Sequence, residues 1–139
     1  MKASIYVLLA ILSTGCATHG LQLTASGIDK ARVHGWANEC ERLSGEEYGD
    51  YSITVVAKVT GKTAFSSTYG RPVGVLDDGN CAETSGSKSS AQIRIALAPD
   101  GYFPDAYGIH ECAHALSFAL GLGGHLRPDW KSWVLGWHP

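Results

Sequence analysis

The sequence has few charged residues, and its one long hydrophobic run is at the N-terminus. Charged side chains make up 17% of the 139 residues, and the formal net charge is −2 at pH 7. Acids and bases are interspersed, without a basic patch or an acidic tail, so we expect no nucleic-acid partner. Beyond Cys16 no apolar run approaches the length of a membrane span, so any membrane contact is predicted to be through a lipid anchor.

Two common kinds of site are also missing from the sequence. No Ser–His–Asp arrangement stands out, and Gly121, Gly123 and Gly124 follow a predicted helix, whereas a phosphate-binding loop precedes one. There is no internal repeat. The 45% hydrophobic content argues against disorder. The chain beyond its start, about 120 residues, is enough for one domain with one core and not for two.

The N-terminus has the features of an export signal. Met1-Lys2 precedes an apolar run over 5–12, and small residues then lead to Cys16. The run is too short to span a bilayer, which is typical of a secretory signal. Gly15-Cys16 resembles the lipobox of bacterial lipoproteins, and cleavage after Ala17 is the alternative. We therefore predict a lipoprotein-type signal peptide over 1–16 and an exported protein of the bacterial cell envelope, lipid-anchored and facing the periplasm.

The four cysteines are expected to have different roles. Cys16 is the candidate for lipidation. Cys40 and Cys81 lie in the exported part, where an oxidising compartment favours a disulfide between them. Cys112 is predicted to be a buried free thiol on a helix, although a Cys40–Cys112 pairing is the alternative.

The hydrophobic pattern predicts an α+β domain in the order helix, three strands, helix, helix. A tether over 17–24 is expected to precede the first helix, over about 27–43, with Ser26 and Asp29 as capping residues. Apolar and polar residues alternate in the strands, which are predicted at 51–60, at 63–69 and around Ile93, Ile95 and Leu97. A turn is predicted at 77–80 and a polar loop at 83–90. The later helices are predicted from Ala106 to about Leu120, capped by Asp105, and from Pro128 to a stop at Gly136.

His110-Glu111-Cys112-Ala113-His114 is an HExxH motif within a predicted helix. Residues four apart on a helix lie one turn above each other, with Cβ atoms about 5–6 Å apart, so two imidazoles can converge on one ion. Zinc accepts imidazole nitrogens at about 2.0–2.1 Å. Glu111, about 100° round the helix from His110, would lie beside a zinc-bound water and take its proton. The motif predicts a zinc site with Glu111 as general base.

A catalytic zinc site normally has a third protein ligand and one open position. The candidates for that ligand lie beyond the motif and are, in order of preference, His125, Asp129 and His138. His125 follows a glycine-rich bend, where the chain can turn back toward the metal helix. The alternative for His125 is a loop histidine that caps the end of the helix.

The stretch from His110 to Gly136 resembles the SprT-like family of minimal zincin metallopeptidases. The matching residues are the HExxH motif, His125, and the segment Trp130-Lys131-Ser132-Trp133-Val134-Leu135-Gly136. The resemblance implies three histidine ligands, His110, His114 and His125, with Glu111 as the base. It also implies a zincin-like α+β fold, in which a small three-stranded sheet is backed by the N-terminal helix and the motif helix. Leu126 stands where the family has Gly, and the interval before His125 is shorter.

These observations together predict a zinc-dependent metallopeptidase that occupies residues 17–139 as one domain. The expected substrate is a peptide or an unfolded protein, held extended at a sheet edge, and a partner could complete the cleft. Tyr102, Phe103 and Tyr107 lie just before the motif, and each is expected to pack in the core or in a loop. The alternatives are a non-catalytic zinc-binding envelope lipoprotein and an interaction module whose motif is accidental. Glu111 discriminates between these hypotheses, because a structural zinc site needs no such carboxylate.

Overall fold

The computed structural model describes residues 20–122, which form an α+β domain of two helices and six strands. The predicted signal peptide, Cys16, His125 and the Trp-bearing helix lie outside these residues. In chain order the elements are β1 (Leu21–Ser26), α1 (Lys30–Ser44), β2 (Tyr51–Val59), β3 (Thr63–Ser66), β4 (Arg71–Gly74), β5 (Ala82–Gly86), β6 (Ser90–Leu97) and α2 (Asp105–Ala119).

Four of the strands form one mixed sheet in the order β1-β2-β6-β5. The first three are parallel, and β5 runs antiparallel to β6 at the edge. In β2 and β6 alternate residues are buried, as expected for strands with one covered face. The side chains of this covered face include Ile53, Val55, Ile93 and Ile95, which belong to the core beneath the helices.

The prediction of a three-stranded main sheet is wrong, because two of the four strands lie where a tether and a polar loop were expected. β1 begins within the predicted tether, and β5 lies in the segment predicted as a loop over 83–90. The sequence of β5, Ala-Glu-Thr-Ser-Gly, has no apolar alternation. Its pairing with β6 through backbone hydrogen bonds does not require apolar side chains at a sheet edge.

The strand predicted over 63–69 is shorter and belongs to a separate hairpin. β3 ends at Ser66 and pairs antiparallel with β4, so that Phe65 lies opposite Pro72. The hairpin packs its turn against the start of α2, where the rings of Tyr69 and Tyr107 meet edge-on with centroids 5.6 Å apart. Gly74 of β4 approaches the backbone of Leu97 closely, since a Cβ on Gly74 would lie 2.5 Å from it.

The N-terminal end of α1 corrects the prediction that Ser26 caps the helix, because Ser26 is the last residue of β1. Asp29 is the N-cap, and its side chain accepts a hydrogen bond from the backbone N–H of Ala31 at 3.0 Å. The helix therefore begins at Lys30, three residues later than predicted. At its other end, Gly45 adopts the left-handed conformation with φ 72° and ends the helix.

Asp105 is not the N-cap of α2, contrary to the prediction. Pro104 occupies the cap position, and Asp105 is the first helical residue. Its carboxylate is instead used between the helices, where Oδ1 accepts hydrogen bonds from Arg32 Nε at 2.6 Å and from Trp36 Nε1 at 2.7 Å. This contact joins the first turn of α2 to α1.

The two helices come closest where Gly108 of α2 faces Trp36 of α1. A Cβ built on Gly108 would lie 2.2 Å from the indole ring, so only glycine fits. Trp36 is buried and also packs against Phe103, with ring centroids 5.7 Å apart. The glycine thus sets how close the motif helix lies to its neighbour.

The described cysteines are free thiols, so the predicted Cys40–Cys81 disulfide is not formed. Cys40 is buried on α1, which packs against β1, whereas Cys81 adjoins β5 at the opposite edge of the sheet. Burial raises the pKa of the Cys40 thiol to about 12. Cys112 is a buried free thiol as predicted, and its backbone carbonyl accepts a hydrogen bond from Tyr48 Oη at 2.6 Å.

Within residues 20–122, neither helix has the length and apolar content needed to cross a membrane.

The contact between Gly108 and Trp36 predicts that Gly108→Ala destabilises the protein. Alanine is favoured over glycine inside helices by about 1 kcal/mol, but here its methyl group overlaps the indole and should cost about 1–3 kcal/mol net. Gly35→Ala is the matched control, because nothing lies within 4 Å of a Cβ built on Gly35 of α1. Urea denaturation should show Gly35→Ala unchanged or stabilised. Equal effects of the two substitutions would contradict the close approach.

The hydrogen bonds to Asp105 predict a pH-dependent contribution to stability. Desolvation acts to raise the pKa of Asp105, but the hydrogen bonds from Trp36 and Arg32 outweigh it, and the pKa is lowered overall. The stabilisation is therefore present above the unfolded pKa of about 3.9 and is lost as the pH falls through the folded value. Because the carboxylate is largely exposed, we expect Asp105→Asn to lower the free energy of unfolding at pH 7 by only about 0.5–1 kcal/mol.

Denaturant titrations of wild type and Asp105→Asn at pH 7 and pH 3 measure this difference. It should shrink at pH 3, because that pH is below the unfolded pKa and the stabilisation is lost progressively as the pH falls toward the lowered folded pKa. A difference of the same size at both pH values would mean that the charge of Asp105 does not contribute.

Candidate metal centre

The HExxH motif lies in the middle of α2, as the sequence predicted. The helix begins after Pro104 and ends before Gly121, whose φ of 72° requires the left-handed region that glycine tolerates. The buried face of the helix packs on the core through Ala113 and Leu116, both fully buried. The motif residues therefore have fixed positions on a rigid element.

The two histidines of the motif face each other across one helical turn. The Nε2 atoms of His110 and His114 are 3.0 Å apart, and the ring centroids are 4.7 Å apart with an interplanar angle of 77°. Two imidazole nitrogens bound to one tetrahedral zinc lie about 3.3 Å apart, from bond lengths of about 2.0–2.1 Å. The observed spacing is thus close to that of a two-histidine metal site.

Glu111 lies beside the histidine pair. Ligand atoms of His110, Glu111 and His114 all lie within 4.8 Å of one another, and this is the cluster in the described part of the chain that could hold a metal ion. His110 and Glu111 are each only 7% exposed, whereas His114 is partly exposed. The site is thus closed on the side of His110 and opens toward His114.

A threonine of β5 holds the carboxylate of Glu111. Thr84 Oγ1 donates a hydrogen bond to Glu111 Oε2 at 2.5 Å. Burial raises the pKa of Glu111 to about 7, while the hydrogen bond from Thr84 acts in the opposite direction and the charge of Glu83 adds to the increase. No sequence pattern pointed to Thr84, because its segment was predicted as a polar loop.

The edge strand β5 runs past the candidate site with part of its backbone directed outward. The β5–β6 ladder is bounded by backbone hydrogen bonds from Ala96 N to Cys81 O at 2.9 Å and from Ser87 N to Ser90 O at 2.8 Å. Hydrogen-bonded pairs alternate along an antiparallel ladder, so the odd-numbered residues of this strand face β6. The residues whose N–H and C=O groups point away from the sheet are Ala82, Thr84 and Gly86.

The aromatic residues before the motif are divided between packing and the surface of α2. Phe103 is 2% exposed and belongs to the core, and Tyr102 stacks under the guanidinium of Arg71, 3.8 Å from the ring centre. Tyr107 is half-buried against Tyr69 and lies three residues before His110, on the same side of the helix. Packing thus accounts for Phe103 and Tyr102, as predicted.

The other predicted site residues are not all within the described part of the chain. His125, Asp129 and His138 lie outside residues 20–122, and so does Cys16. The identity of the third ligand therefore stays a prediction. His34 is exposed on α1, as predicted for a surface histidine outside the site.

No family model, no curated protein and no solved structure matches the chain. The resemblance to SprT-like zincins therefore rests on the sequence motif, of which the described residues contain His110, Glu111 and His114.

Proposed function

We propose that the protein is a zinc-dependent hydrolase that cleaves peptide bonds, with Glu111 as general base. One observation carries the proposal: the Nε2 atoms of His110 and His114 converge to 3.0 Å, and Glu111 lies within the same cluster. Two histidines one helical turn apart can hydrogen-bond to each other without a metal, and it is the presence of Glu111 in the same cluster that favours a metal site. The burial of His110 and Glu111 adds support, because buried polar groups are retained where they have partners or a role.

The proposed roles of the residues follow from their positions. His110 and His114 would hold the ion, with a third ligand from beyond the described residues, for which His125 comes before Asp129 and His138. Bound zinc would supply Lewis acidity toward a carbonyl group and a coordinated water. Glu111 would accept a proton during attack on the carbonyl carbon and deliver it to the leaving amine nitrogen.

A zincin-like fold is part of the same proposal. Its support is the arrangement of a mixed sheet with an antiparallel edge strand next to a helix that carries HExxH. α2 packs across β5 and β6, so the motif lies beside the sheet edge and not beneath the centre of the sheet. We propose SprT-like zincins as the family whose site this one most resembles.

The proposed substrate is an extended peptide or an unfolded protein. The outward N–H and C=O groups of Ala82, Thr84 and Gly86 can pair with an added strand, which is a common way to bind extended chains. The side chain of Thr84 contacts Glu111, so this pairing would bring a peptide past the candidate base. A partner protein that completes the cleft remains part of the proposal, as do export and a lipid anchor at Cys16.

The first test of the proposal is zinc binding. We expect His110→Ala and His114→Ala each to lower zinc affinity by at least about 100-fold, because losing a ligand should cost more than losing a residue that hydrogen-bonds to a ligand. His34→Ala is the matched control, since His34 is an exposed helical histidine outside the cluster. Competition titration with a chelating dye measures the affinities. Equal affinity of wild type and the two motif variants would contradict the metal site.

The second test separates an enzyme from a zinc-binding protein without activity. Glu111→Gln should keep zinc bound but lower kcat by about 10²–10⁴-fold on an unfolded, dye-labelled protein, because the amide cannot accept the proton. Glu47→Gln, an exposed glutamate outside the cluster, is the control. If zinc-loaded wild type and Glu111→Gln hydrolyse the substrate equally, the catalytic proposal fails and a non-catalytic zinc-binding role is favoured.

A further inference from the structure

Thr84 differs from the other polar residues of β5 in the direction of its side chain. Its ladder partner is Ile93, which is fully buried beneath the helices. Side chains of paired residues lie on the same face of a sheet, so Thr84 points toward α2. Glu83 and Ser85 point to the opposite face, where Glu83 forms an ion pair with Arg94.

The hydroxyl group of Thr84 has one hydrogen and two nearby acceptors on the same residue. Oγ1 lies 2.5 Å from Glu111 Oε2 and 3.3 Å from the backbone carbonyl oxygen of Glu111. That carbonyl is inside α2, where carbonyls accept from the N–H four residues later. The shorter distance and the carboxylate charge both favour donation to Oε2.

This hydrogen bond restricts the carboxylate of Glu111. A glutamate side chain has several rotatable bonds, and ordering it costs conformational entropy unless a contact fixes it. Within residues 20–122, the hydrogen bond recorded to this carboxylate comes from Thr84. The contact uses one lone pair of Oε2 and leaves the other acceptor sites of the carboxylate. The hydroxyl thus restricts the orientation of the Glu111 carboxylate.

We propose that Thr84 is a positioning residue that holds Glu111 in its working orientation and links it to peptide bound at the sheet edge. The inference rests on the proposed hydrolase function. The backbone N–H and C=O of Thr84 point away from β6, where an added strand would pair, while its hydroxyl binds the base. One residue therefore contacts both the extended substrate and Glu111. The linkage favours substrates that pair along β5 over short amides that do not reach it.

The kinetic test compares Thr84→Val, which replaces the hydroxyl with a methyl group of similar size, with Thr84→Ser, which keeps a hydroxyl. We expect Thr84→Val to lower kcat on a labelled unfolded protein by about 10-fold or more with KM within about twofold, since backbone pairing is kept. Thr84→Ser should recover at least about half of kcat. Thr54→Val, an exposed threonine of β2 on the open face of the sheet, should match wild type.

A second measurement needs no activity. In protein labelled with ¹³C at the glutamate carboxyl carbons, the Glu111 signal is assigned by its absence in Glu111→Gln. This signal should move in Thr84→Val and stay near its wild-type position in Thr84→Ser and Thr54→Val. If Thr84→Val does not fold by circular dichroism, Thr84→Ala serves as the second variant without a hydroxyl.

The outcomes distinguish this inference from the proposed function. If wild type with bound zinc hydrolyses nothing, the proposed function fails, and the carboxyl signal alone tests the Thr84–Glu111 contact. An unchanged signal in Thr84→Val overturns the contact. Wild-type kcat in Thr84→Val, or a Thr84→Ser variant as impaired as Thr84→Val, overturns the positioning role.

Discussion

The central constraint on this structure is that a largely buried helix carries two imidazoles and a carboxylate. Eight of the 15 residues of α2 are buried, and a glycine allows its close contact with Trp36 of α1. Polar groups buried in such a place cost free energy unless they have partners. Here the imidazoles of His110 and His114 face each other, and Glu111 accepts a hydrogen bond from Thr84. Two of the three buried polar residues within 20–122, His110 and Glu111, therefore lie in this cluster.

The rest of the fold determines where that point lies. The contacts of Trp36 and Arg32 with Asp105 fix the first turn of α2, and the core residues beneath it fix the rotation of the helix. α2 lies across β5 and β6, so the cluster is placed next to an edge strand and not over the centre of the sheet. This placement brings β5 into contact with Glu111 through Thr84, and the proposal of peptide hydrolysis depends on it.

The features that could be predicted from the sequence were those set by strong local patterns. HExxH within a helix and the alternating strands β2 and β6 have signals within a few residues. β5 could not be predicted, because its polar sequence is held by pairing with β6 and leaves no periodicity. The predicted Cys40–Cys81 disulfide was wrong because residues at opposite edges of a sheet cannot be located from composition. Thr84 became visible as a site residue only through the sheet register.

The most direct test of a shared metal site at His110 and His114 is X-ray absorption at the zinc edge on the zinc-loaded protein. The proposal predicts nitrogen scattering at about 2.0–2.1 Å with the outer-shell pattern of at least two imidazole rings. The same spectrum from the protein with both motif histidines changed to alanine should lose that pattern. A wild-type spectrum with oxygen ligands and no imidazole scattering would contradict the account.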